Sequence, residues 1–217
     1  MRVLRLRQGD TIHVTDGRGN LYECHIADAN DRACSIEAVS QLSTTHSQLP
    51  TLHLAVAPTK NPSRMEWMVE KAVEVGVGEI TLLNCDHSER TFLKTERLEK
   101  LAVSAMKQSL HTVLPTINPA VKLSDWLNSH INTLTHSRTQ KLIAHCESDK
   151  PRTPLANALK PGVDTVILIG PEGDFSEEEI TLSLEKGFQP VSLGPSRLRT
   201  ETAALYASTV LNFLNES

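Results

Sequence analysis

Two short stretches near the C-terminus concentrate the residue types that bind and polarise ligands. The first reads Gly170-Pro171-Glu172-Gly173-Asp174-Phe175-Ser176 and follows the apolar run Val166-Ile167-Leu168-Ile169. Its glycines let a ligand approach the backbone closely, and Pro171 stiffens the turn. The same pattern also serves a plain strand-to-helix turn, and the glycines alone do not choose between the two. The second reads Gly194-Pro195-Ser196-Arg197-Leu198-Arg199-Thr200-Glu201-Thr202, after Val191-Ser192-Leu193, and runs into an apolar helix from Ala203 to Leu214. Two arginines, a glutamate and two threonines crowd a helix start, where anions are favoured. An ordinary junction rarely needs that density of charge. Neither loop matches Gly-x-Gly-x-x-Gly or Gly-x4-Gly-Lys-[Ser/Thr], so dinucleotide and P-loop chemistry have no direct support. There is no His-Glu-x-x-His and no Gly-x-Ser-x-Gly, and the nine histidines are scattered.

The elements that must carry these loops alternate between strand and helix. After Pro50, Leu52 to Ala57 reads as a buried strand, and Met65, Met68, Val69, Ala72 and Val73 recur at helical spacing up to a stop at Gly76. The Met stripe, with Trp67, is read as core. Ile80 to Leu83 is a second strand, and a helix from Glu96 to Ser109 places Leu98, Leu101, Ala102, Ala105 and Met106 on one face. Strands follow at Lys141–His145, Val163–Ile169 and Pro190–Leu193, and Ser176 with Glu179 forms a capping box for a helix from Glu177 to Lys186. This alternation predicts an α/β fold with a mostly parallel sheet covered on both faces. In such sheets ligands bind beyond the C-terminal ends of the strands, where both loops lie.

The first forty residues have a different rhythm. Thr11–Val14, Leu21–Ile26 and Ala33–Val39 read as short strands, with a turn at Asp16-Gly17-Arg18-Gly19. The polar stretch from Gln41 to Pro50 reads as a linker, which divides the chain into residues 1–48 and 49–217. Arg2, Arg5, Arg7 and Arg18 outnumber Asp10 and Asp16 in the first twenty residues, which fits either a solvated edge or a phosphate-binding face. The net charge of -4 over 217 residues argues against coating nucleic acid through bulk charge, but not against such a local face. No apolar run reaches the roughly 20 residues that span a bilayer. Met1 to Arg7 has no signal-peptide core, and Cys24, Cys34, Cys85 and Cys146 form no Cys-x-x-Cys pair. The expectation is a cytoplasmic protein with free thiols and no metal site.

The two loops, GPEGDFSEEE and LGPSRLRTETA, resemble the paired signature of the RsmE family, the uridine-N3 methyltransferases of 16S ribosomal RNA. Val3 to Asp10 and Asp16 to Gly19 resemble that family's N-terminal PUA-like β-barrel. Lys60, Lys71 to Val77, Ser88-Glu89-Arg90 and Met106 to Ser109 resemble its central blocks. The resemblance implies a SPOUT-type parallel sheet whose C-terminal segment threads a trefoil knot, preceded by an RNA-binding barrel. It also implies S-adenosylmethionine as methyl donor, a homodimer, and 16S ribosomal RNA or the small ribosomal subunit as partner. The cofactor loops carry over to Ile169, Gly170, Pro171, Glu172 and Gly173, and to Ser192, Leu193, Gly194, Ser196 and Leu198. Asp174 stands where a glycine usually follows Pro-Glu-Gly, and Lys107 where an acidic residue is usual. The family's barrel commonly begins some residues before Val3.

Methyl transfer from a sulfonium is an in-line displacement, so the protein chiefly aligns base and donor. Uridine N3 carries a proton, and the site must remove it or stabilise the resulting anion. The crowding at the second loop nominates Arg199 to stabilise the anion and Glu201 to accept the proton, with the bracing of a helix start as the competing role. Arg2, Arg5, Arg7, Arg18, Lys60 and Arg197 are the expected RNA contacts. Two other functions stay open on the sequence: ribose 2′-O methylation by similar loops, and a catalytically silent RNA-binding assembly factor.

Overall fold

The structure is a computed structural model, described here for residues 6–30, 33–43, 50–91, 93–129, 139–147 and 151–216. The chain divides into two compact units, residues 1–48 with 110–114 and residues 49–109 with 115–217.

In the first unit β1 (Thr11–Thr15), β2 (Leu21–Asp28) and β3 (Ser35–Leu42) form an antiparallel sheet in that order. The Asp16–Gly19 turn joins β1 to β2 as the sequence indicates. Gly17 and Gly19 take φ of 74° and 98°, a region open to glycine without a Cβ clash, and Asp16 Oδ1 accepts the Arg18 N–H at 2.8 Å. Two features differ from the sequence reading. Strand β3 runs on into the expected linker, with Gln41 and Leu42 paired to Tyr22 and Leu21. Residues 110–114 also hook the turn: Leu114 N–H donates to Gly17 O, Gly19 N–H to Thr112 O, and Arg18 bridges Val113.

The second unit is built on a seven-stranded, wholly parallel sheet. Its strands are β4 (Leu52–Val56), β5 (Glu79–Asn84), β6 (Thr116–Lys122), β7 (Gln140–Ala144), β8 (Thr153–Pro154), β9 (Thr165–Ile169) and β10 (Gln189–Ser192), in the order β6-β5-β4-β9-β7-β10-β8. Strands β4 and β9 are buried at every position, as a strand covered on both faces must be. One face packs Leu54, Val56, Ile80 and Ile167 under α1 (Pro62–Glu74), α2 (Thr95–Gln108) and α6 (Thr200–Glu216). The other packs Ala55, Leu83, Val166 and Leu168 under α3 (Leu123–Ser129) and α5 (Glu177–Glu185). A single turn, α4 (Leu155–Ala158), follows β8.

Local chemistry sets the helix ends. Asn61 caps α1 by accepting from Ser63 N–H, with Pro62 pre-set at the first turn. The Ser176–Glu179 capping box of α5 forms as the sequence requires. Met65, Met68, Val69, Ala72 and Val73 are the buried face of α1. Trp67 is a correction to the expected core stripe: it projects 44% exposed, because it lies off that face.

Candidate active site

Strands β9, β7 and β10 are neighbours, and their C-terminal ends open into one cleft of about 680 Å³. The first loop contributes Gly170, Pro171 and Glu172 and the second contributes residues 192–200, while Ile169, Val191 and Ala203 supply apolar walls. The two loops are tied directly: the Thr200 hydroxyl, buried at the start of α6, donates to Gly170 O at 3.0 Å. Gly170 sits where a Cβ would meet the Phe175 ring at 3.1 Å, so a side chain there would require the ring to give way. Gly194, at φ 113° with open space around it, keeps the second loop backbone bare.

The expected cofactor residues Ile169, Gly170, Pro171, Glu172, Ser192, Leu193, Gly194, Ser196 and Leu198 all line this cleft, as do Arg197 and Arg199. Gly173 does not line it; its Cβ position faces His87 at 3.0 Å, which makes it a packing glycine. Glu201 also falls outside the lining. Its carboxylate is buried on α6, with Oε1 3.7 Å from Arg64 Nε of α1 and Oε2 without a hydrogen-bond donor among the described residues.

A third wall was missed by sequence reasoning. Ala144, His145, Cys146, Glu147 and Arg152, around the end of β7, line the cleft together with Asp174. The same strand-end rule applied to Lys141–His145 points to them, but the segment lacks the glycines that drew attention elsewhere. Burial pushes the Cys146 thiol up from its usual range, the Asp174 charge adds to this, and Arg197 and Arg152 oppose it.

The loops behind the cleft are cross-linked. Glu172 Oε1 accepts the Lys60 N–H, and Arg90 Nε donates to Lys60 O. Lys60 itself is exposed, its ammonium 2.6 Å from Glu89, and that hydrogen bond raises its pKa. Glu179 receives N–H bonds from Asp86 and Ser176, yet burial still pushes its carboxyl above the usual range. Of the remaining expected RNA contacts, Arg7 and Arg18 are exposed on the N-terminal unit, and Arg2 and Arg5 lie outside the described residues. Among the described residues no group of His, Cys, Asp or Glu is arranged to hold a metal, and no helix is long and apolar enough to cross a membrane. All four cysteines are free.

Residues 46–212 match the RNA methyltransferase domain family, and residues 1–39 match the RNA methyltransferase PUA domain. Fold and site together define the class as an RNA methyltransferase with an N-terminal PUA domain. The chain is 32% identical to the ribosomal RNA small subunit methyltransferase E of Aquifex aeolicus, over 98% of this chain and 90% of that one. Among solved structures, a probable rRNA-methyltransferase from Porphyromonas gingivalis superposes with a TM-score of 0.90 at 41% identity, covering 99% of this chain and 89% of that one. The ribosomal RNA small subunit methyltransferase E of Neisseria gonorrhoeae, bound to S-adenosyl methionine, gives 0.81 at 26% identity, with 99% and 87% covered. The chain belongs to the ribosomal RNA small subunit methyltransferase E family.

Proposed function

We propose that this chain methylates N3 of a uridine in 16S ribosomal RNA, with S-adenosylmethionine as donor. The observation that carries the reading is the single cleft into which both signature loops converge at the ends of β9, β7 and β10. Its volume of about 680 Å³ suits a cofactor of this size, since small-ligand pockets span roughly 300–1,000 Å³. Ile169, Val191, Leu193 and Leu198 offer apolar surface for the adenine, and the glycine-rich backbone offers N–H and C=O groups for the polar edges. The Neisseria gonorrhoeae relative is bound to the same donor.

S-adenosylmethionine supplies a methyl group activated by its sulfonium. The residues of this chain have three tasks: to orient the base, to exclude water from the reacting centre, and to deal with the proton at N3. Arg199, exposed at the cleft, is proposed to stabilise the uridine anion across its carbonyl oxygens. In this reading the N3 proton passes to bulk water at the cleft mouth as that anion forms, before the base seats at the water-excluded reacting centre. Glu201 is read as a positioning residue, because its buried carboxylate faces Arg64 and braces the start of α6. Arg197 is proposed to hold an RNA phosphate, with Arg2, Arg5, Arg7 and Arg18 serving the same purpose on the N-terminal unit.

Two further features belong to this proposal. β10 lies beyond β7 from β9, whereas α6, which follows β10 directly, packs on α1, β4 and β9. A chain that returns across β7 in this way supports a threaded, knotted C-terminal segment. Trp67, Tyr206 and Phe213 leave large apolar surface on α1 and α6, which supports a homodimer.

The test pairs calorimetric titration of S-adenosylmethionine with mass spectrometry of ribosomal RNA nucleosides from cells with and without the protein. The expected results are donor binding and 3-methyluridine that depends on the protein. A ribose-methylated nucleoside in its place, or no donor binding, would refute the proposal.

A further inference from the structure

The peptide group between His145 and Cys146 stands in the cleft wall beyond β7, and both of its polar atoms are taken. Arg152 Nη1 donates to the His145 carbonyl at 2.6 Å, and the Cys146 N–H donates to Asp174 Oδ2 at 2.6 Å. A cation therefore holds the oxygen end of one peptide dipole and an anion holds its N–H end. Hydrogen bonds to ionised groups are shorter and about twice as strong as neutral ones.

Asp174 reaches this position at a backbone cost. Its φ of 65° lies in the left-handed region, which favours glycine. Its second oxygen accepts the Phe175 N–H at 2.9 Å, and its own carbonyl meets His87 Nδ1 at 3.1 Å. A glycine satisfies the backbone geometry but offers no acceptor to Cys146.

We infer that Asp174 is a positioning residue that, with Arg152, fixes the His145–Cys146 peptide and presets the middle wall of the cleft for the methyl donor. The inference rests on the cleft being the donor site. A wall already ordered before binding spares the donor the cost of ordering it. Asp174 thus couples the loop after β9 to the loop after β7, two of the three that line the cleft.

The test compares wild type, Asp174→Gly and Asp174→Asn by calorimetric titration of S-adenosylmethionine and by hydrogen exchange at the Cys146 amide in the ligand-free protein. Asp174→Gly is expected to weaken donor binding about ten-fold and to speed Cys146 exchange by a similar factor. Asparagine tolerates the left-handed backbone and keeps one acceptor oxygen for Cys146 but loses the charge and the second acceptor. It therefore rescues both readouts in part, falling between glycine and wild type. Wild-type donor affinity in Asp174→Gly, or an Asn variant as weak as the Gly variant, overturns the inference. Should wild type bind no donor at all, the cofactor reading fails and exchange alone decides the tether. Unchanged Cys146 rates in Asp174→Gly then overturn it, and rates that rise more with Gly than with Asn uphold it.

Discussion

Thr200→Val isolates the bond that joins the two signature loops. Valine keeps the shape of threonine but loses the hydroxyl that donates to Gly170 O at 3.0 Å. Thr200 is 5% exposed and Gly170 is buried, so water has little access to the carbonyl left behind. An acceptor stranded in this way costs about 1–3 kcal/mol. For a unit of this size each kcal/mol lowers Tm by roughly 2–4 °C, so the middle of the range corresponds to a drop of about 4–8 °C. Because the bond also sets the spacing of the loops, S-adenosylmethionine affinity should fall with it. Thr200→Ser is the matched control, since it keeps the donor and removes one methyl group worth about 0.8 kcal/mol. Thermal unfolding with and without donor provides both readouts. If Thr200→Val melts at the wild-type temperature and binds donor normally, the loops are positioned by something else and the reasoning fails.

Gly170→Ala should lose about 1–3 kcal/mol in denaturant unfolding, since the new Cβ lies 3.1 Å from two carbons of the buried Phe175 ring. Glu179 gives a pH dependence: burial raises its folded pKa above the ordinary 4.5, so its contribution is complete below that value and is lost as pH rises through the folded pKa. The stability of wild type relative to Glu179→Gln should therefore fall between acid and neutral pH, and a flat or rising difference would contradict the shift. Lys60→Met should leave thermal stability close to that of wild type, because its pair with Glu89 is exposed and screened by solvent. In salt-dependent RNA binding it should also matter less than Arg197→Met, since Glu89 already occupies the Lys60 ammonium. Equal losses for the two variants would reverse that ranking.

The central strands were legible because Val166–Ile169 is a continuous apolar run and Leu52–Val56 is broken only by His53, and both signature loops stood out through their glycines and charges. β6 escaped because Pro119 interrupts a half-polar run, a pattern tolerated only where the strand lies at the sheet edge, as it does here. α3 is too short for its period to show. The wall at residues 144–147 carries no unusual side-chain pattern; it becomes part of the site only because β7 sits between β9 and β10. Glu201 could not be oriented from its neighbours in sequence, since its facing is set by the packing of α6 against α1 and by Arg64. Residues 110–114 join the N-terminal unit mainly through backbone hydrogen bonds, which have no residue code.

The strand order has a consequence for how the protein is made. Among the described residues β8 pairs with β10 alone, and β7 gains both of its partners from strands that follow it in the chain. A nascent chain that ends after α5 therefore leaves one edge of β7 open and lacks the wall from Ser192 to Ala203. An open edge of this kind is an invitation to pairing with another chain. The cleft therefore stays incomplete until β10 and the start of α6 have been made, so its capacity to bind arises late in synthesis.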